Sequence, residues 1–164
     1  MSKRQKAQGL VEFALILPLL LAVLMACIDF GWVVFNYVQL NNGLREGLRY
    51  GSVAGFNATN QYRDCASIYG RIKSTAPWAR IQDSDIVVYY DNGYSTGPSD
   101  AANVSGTCTL PGPYAGTLTN GQRIVIQVNP TVGFMTPFFR TLWPGGLQFT
   151  FRGGRTIYPT GVSE

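Results

Sequence analysis

The sequence predicts an α+β fold, in which one long N-terminal helix is followed by a small domain with a short helix and an antiparallel sheet. Three observations predict it. Sixteen uncharged residues, Phe13 to Ile28, lie between Glu12 and Asp29. No proline interrupts residues 19–76, where apolar positions continue at helical spacing. Three runs rich in β-branched and aromatic residues are confined to the C-terminal half.

The apolar run begins behind Met1-Ser-Lys-Arg-Gln-Lys-Ala7 and is near the lower length limit for a membrane span. A secretory signal peptide would end in a small-residue exit. Here the run passes Asp29 directly into Trp32-Val-Val-Phe-Asn-Tyr-Val38, so the helix is expected to stay on the protein. Lys3, Arg4 and Lys6 precede the span and the next basic residue is Arg45. Positive residues remain cytoplasmic, so the N-terminus is expected inside and the chain beyond about residue 35 outside. Pro18 removes one backbone hydrogen bond and is expected to kink the helix. Tyr37, Leu40, Leu44 and Leu48 extend an apolar stripe to about Tyr50. A helix from Gly9 to Tyr50 would be about 60 Å long, with Gly51 and Gly55 as stop signals.

Two sites on the span carry charge. Asp29 at its far end either meets the outer headgroups or pairs with a partner helix. Glu12 at its near end either snorkels to water or has a task in assembly, because a carboxylate beside hydrocarbon is costly.

Tyr62, Cys65, Ala66, Tyr69 and Ile72 predict a second short helix, ended at Ala76-Pro77. Ile86–Tyr90, Arg123–Val128 and Leu147–Arg152 are the expected core strands. Thr107–Leu110 and Thr156–Tyr158 are short candidate partners. Gly145-Gly146 and Gly153-Gly154 are read as turns. Val132 to Pro144, rich in Phe, Met and Trp, is either a loop that plugs the core or a patch facing the membrane or a neighbouring subunit.

Of the three cysteines, Cys27 falls within the span and is expected to behave as a small apolar side chain. Cys65 and Cys108 fall outside it. They form either one disulfide, which an oxidising compartment favours, or two thiols. Histidine is absent, which removes the commonest general base and metal ligand. Asp83, Asp85 and Asp91 lack the spacing of a calcium loop. No catalytic residue, metal site or cofactor is therefore expected. The net charge of +4 owes three charges to the leader. Beyond residue 50 the basic residues are scattered, so nucleic acid is not an expected partner.

Gln8-x-Leu10-Val11-Glu12-Phe13-Ala14-Leu15, then Pro18, then Ile28-Asp29-Phe30-Gly31, resembles the N-terminal signature of TadE-like pseudopilins, minor components of bacterial tight-adherence (Tad/Flp) pilus systems. The resemblance is close over residues 3–50 and general in layout beyond. It implies a pilin-like arrangement with a basic leader at 1–7, a long helix at 8–50 and an extracytoplasmic α+β domain at 51–164. A prepilin-type peptidase would cut between Ala7 and Gln8, making Glu12 the fifth mature residue. The residue before such a cut is usually glycine and here is alanine. The cut would create an α-amino group one helical turn before Glu12. That carboxylate can pair with the amine, or with the amine of the next subunit, and so pin the register of an assembly, with Phe13 beside it.

The function implied is that of a non-catalytic, structural minor pilin-like subunit, inserted N-in and C-out in the bacterial cytoplasmic membrane. Its expected partners are membrane lipid, the prepilin-type peptidase and other pilin or pseudopilin subunits, and it is either retained in the membrane or incorporated into a surface pilus. The alternative is a single-pass, membrane-anchored extracytoplasmic binding module with no filament role.

Overall fold

A computed structural model of the 164-residue chain describes residues 3–53, 61–91 and 123–157, apart from the side chains of residues 3–7 and Asp91. Helix α1 runs from Lys3 to Gly51. Helix α2 spans Cys65–Thr75 and α3 spans Pro137–Leu142. The strands are β1 (Ile86–Asp91), β2 (Arg123–Val128), β3 (Thr131–Val132), β4 (Leu147–Gln148) and β5 (Phe151–Thr156). The chain divides into two compact units, one of residues 1–35 with 133–146, the other of residues 36–132 with 147–164.

In the larger unit, β1, β2 and β5 form an antiparallel sheet with β2 in the centre. Its register puts Ile86, Val88 and Tyr90 opposite Val128, Ile126 and Ile124. All six are buried, because alternate residues of a strand share a face and this face is the core side. Leu40, Leu44 and Leu48 of α1 and Ile68 and Ile72 of α2 complete the core.

Three glycines let α1 approach closely. A Cβ at Gly43 would lie 2.9 Å from the backbone oxygen of Ile72, one at Gly47 2.7 Å from the Ile72 side chain, and one at Gly51 2.6 Å from Ile124. At a spacing of four they share one helix face. Asp64 caps α2 by accepting the Ser67 N–H at 3.0 Å, and its other oxygen accepts the Tyr50 hydroxyl at 3.2 Å. Glu46 pairs with Arg49 on its own helix at 2.7 Å and with Arg71 of α2 at 3.2 Å.

The α+β order matches the expectation, and three details differ. The third core strand is not continuous over Leu147–Arg152. Leu147 and Gln148 pair with β3, and the three-stranded sheet is joined only from Phe151. Gly153 and Gly154 are not turn residues; they lie inside β5. A Cβ at Gly153 would meet Leu48 at 2.6 Å, so the glycine makes room for the helix. Gly146 does sit in a turn, at φ 63°. Helix α1 also extends farther toward the N-terminus than Gly9. The expected partner strand at Thr107–Leu110, and Tyr158, lie outside the described residues.

Candidate functional site

Residues 8–25 of α1 are exposed throughout, including Leu10, Phe13, Leu15 and Leu19. The helix that presents this exposed, largely apolar surface is long and apolar enough to cross a membrane. Pro18 lies inside the helix, in the exposed stretch. Cys27 is exposed and carries a free thiol.

At the near end, Gln8, Glu12 and Phe13 are all exposed, and Gln8 Nε2 donates to Glu12 Oε1 at 3.3 Å. The two side chains meet because they are four residues apart on one helix face. Ala7 is helical, and its side chain lies outside those described.

At the far end, Asp29 is buried, at 3% exposure. Its Oδ1 accepts the backbone N–H of Met135 at 2.8 Å and that of Thr136 at 2.9 Å. Its Oδ2 accepts the Thr136 hydroxyl. Thr136 is the residue before α3, where a threonine commonly caps its own helix; here the side chain makes no cap bond and turns to Asp29. Three donors to one carboxylate meet the usual requirement for burying a charge. Neither headgroup contact nor a partner helix is needed to account for Asp29. Both expectations give way to an intrachain anchor, because the donors it needs come from a segment more than a hundred residues away.

Met135, Phe138, Leu142 and Trp143 are exposed, while the α3 backbone is satisfied by Arg140 N–H to Thr136 O at 3.1 Å and Trp143 N–H to Phe139 O at 2.8 Å. Short-range ring contacts order the rest: Phe139 lies 5.9 Å from Phe134 and 5.2 Å from Phe138.

Elsewhere, Asp83, Asp85, Tyr69 and Tyr90 have structural partners. Asp83 pairs with Lys73 at 2.5 Å, and Asp85 accepts the Gln82 N–H at 2.9 Å. Among the described residues, no group of three or more His, Cys, Asp or Glu is placed to hold a metal. Burial pushes the Tyr69 and Tyr90 hydroxyls above the ordinary tyrosine range. Tyr90 donates to the Tyr62 carbonyl and Tyr69 to the Ile86 carbonyl at 3.3 Å, so both act as core fasteners. Cys65 is fully buried at the start of α2, and Cys108 lies outside the described residues.

Two features escaped sequence reasoning. Gly43, Gly47 and Gly51 recur every four residues, and in the sequence only the last carries a signal, as a helix stop. The Asp29 anchor had no local signal beyond a charge out of place in an apolar helix.

Residues 7–49 match the family model described as TadE-like protein. The match covers about a quarter of the chain, falls within α1, and includes Glu12 and Asp29. Comparison with curated proteins finds no match, and comparison with solved structures finds none.

Proposed function

We propose that this chain is a structural, non-catalytic pilin-like subunit of a Tad/Flp-type pilus or secretion machine, inserted in the bacterial cytoplasmic membrane with its N-terminus inside and its α+β domain outside. The observation that supports it is the helix surface over residues 9–25, exposed throughout and apolar apart from one carboxylate at Glu12. A stable monomer has no use for such a surface in water, and a plain anchor has none for the carboxylate. Lateral packing of subunits uses both. The match over residues 7–49 supports involvement in a Tad pilus system.

In this account a prepilin-type peptidase removes residues 1–7. Gln8 then carries a free α-amine on the same helical turn as Glu12, where the side chains of the two residues already meet at 3.3 Å. The carboxylate pairs with this amine or with a neighbour's. An assembly that buries one without the other incurs about 3–5 kcal/mol. Phe13, exposed beside Glu12, supplies apolar contact, and Pro18 bends the helix to fit its neighbours.

The test is Glu12→Gln in a strain lacking the native copy. The protein is expected to insert and to be processed, and to fail to support pilus formation. Normal pilus assembly would return Glu12 to the role of a membrane-edge residue, in keeping with a simple anchor for an outer binding domain.

A further inference from the structure

We infer that Gly133–Gly146 forms an interfacial collar on the membrane span, seated in the outer leaflet with Met135, Phe138, Leu142 and Trp143 among lipid headgroups and upper acyl chains. This rests on α1 crossing a bilayer, and goes beyond it by assigning a second lipid-binding element.

Four observations converge. The segment belongs to the same compact unit as residues 1–35, and Asp29 fastens it there through Met135 and Thr136. Asp29 lies seventeen residues after Glu12, a rise of about 25 Å, close to the roughly 30 Å of the hydrocarbon layer. With Glu12 at one face of the bilayer, the anchored segment is at the other. Second, its large side chains are turned outward: Met135 is 61% exposed, Phe138 54%, Leu142 65% and Trp143 61%. In the same unit, Ile28, Phe30 and Val34 of α1 are exposed as well.

Third, the composition suits the interface. Aromatic side chains concentrate at the headgroup level of spanning proteins, and Trp is foremost among them. Arg140 is the sole charge from Val132 to Gly146, which favours an anionic lipid surface over an acidic protein face. Fourth, the two backbone donors exposed just before α3 are taken by Asp29, and Pro137 has none to satisfy. Irregular backbone is tolerated near hydrocarbon when its polar groups are met from within the protein. Asp29 is thus a positioning residue, which spends its charge inside the chain so that an apolar turn can lie on lipid.

The experiment uses the full chain in phosphatidylcholine–phosphatidylglycerol vesicles whose lipids carry bromine either near the headgroup or near the chain end. Trp32→Phe with Trp78→Phe leaves Trp143 as the one tryptophan of the three. A second protein adds Trp143→Phe and Leu20→Trp to report the middle of the span. Trp143 emission should fall more with shallow bromines than with deep ones, and the residue 20 reporter should show the reverse order. Quenching at residue 20 without quenching of Trp143 overturns the collar and leaves the span intact. Loss of quenching at both positions overturns the span as well. Deeper quenching at Trp143 than at residue 20 overturns the interfacial placement. Trp143 shielded from lipid bromine and from aqueous acrylamide alike would mean that another protein chain covers the patch, which also overturns it.

Discussion

The Asp29 carboxylate binds Thr136 twice, through its backbone N–H at 2.9 Å and through its hydroxyl, across 107 residues of chain. The Met135 N–H joins them at 2.8 Å. One acidic side chain on an apolar helix thereby holds the start of α3. It also solves the problem of its own charge, since each oxygen is occupied by a donor from the same protein.

Removing that carboxylate should release the segment. Asp29→Ala leaves two backbone donors and a hydroxyl without their acceptor, at a cost of about 3 kcal/mol. Asp29→Asn keeps one acceptor oxygen and should cost less. Amide exchange at Met135 and Thr136 in detergent-solubilised protein should accelerate strongly in the alanine variant. Unchanged protection at both amides would contradict the anchor.

Two glycine-to-alanine changes should move stability in opposite directions. At Gly43 the new methyl would stand 2.9 Å from the Ile72 backbone oxygen, which cannot step aside as a side-chain end can. Overpacking of this kind costs about 1–3 kcal/mol, more than the roughly 1 kcal/mol that alanine gains in a helix. Gly70 of α2 is exposed, and a Cβ there meets nothing within 4 Å. Gly70→Ala should therefore raise the thermal midpoint and Gly43→Ala lower it. The same sign for both would refute the close-approach role of the glycine face.

Acid should weaken the larger unit. Hydrogen bonds from Ser67, and then from Tyr50, hold the Asp64 carboxyl below its ordinary value of 3.8. The Arg49 guanidinium, and then Arg71, hold Glu46 below 4.5. A carboxyl whose folded pKa is depressed contributes stability at pH above its unfolded value, and loses it as pH falls through the folded one. The urea midpoint should thus be steady near neutrality and fall below about pH 4. Asp64→Ala should cost about 1 kcal/mol near neutrality through the lost cap and flatten part of the acid decline. An equal decline in the variant would remove Asp64 from this account.

Cys65 is buried at the first turn of α2, and Cys108 is the remaining cysteine beyond the span. We expect exported protein to carry a disulfide between them, worth roughly 4 kcal/mol on the chain-entropy model. Peptide mapping without reductant should recover the two joined. Alkylation of both in unreduced protein would contradict it.

The legible parts of this fold are those with local signals. Leu40, Leu44 and Leu48 marked the buried face of α1 by spacing alone, and Ile86–Tyr90 and Arg123–Val128 marked two strands by β-branched density. The alternation across Leu147–Arg152 misled, because it spans two ladders. Phe149 between them donates to the Pro130 carbonyl at 3.1 Å instead of joining the sheet. Gly153 resembles a turn glycine in sequence because nothing in its neighbourhood reveals that Leu48 needs the space. At the candidate site, Glu12 stood out by its charge in an apolar setting. The destination of Asp29 did not, since its partners are set by tertiary placement and leave no periodicity to read.

We propose that α1 is a processed assembly helix and not a permanent anchor. The most direct measurement is the intact mass of the chain recovered from membranes of cells containing a prepilin-type peptidase. A mature protein beginning at Gln8 is expected, with residues 1–7 absent. A mass that retains Lys3, Arg4 and Lys6 under those conditions would contradict it and leave the chain as a single-pass anchor with an outer α+β domain.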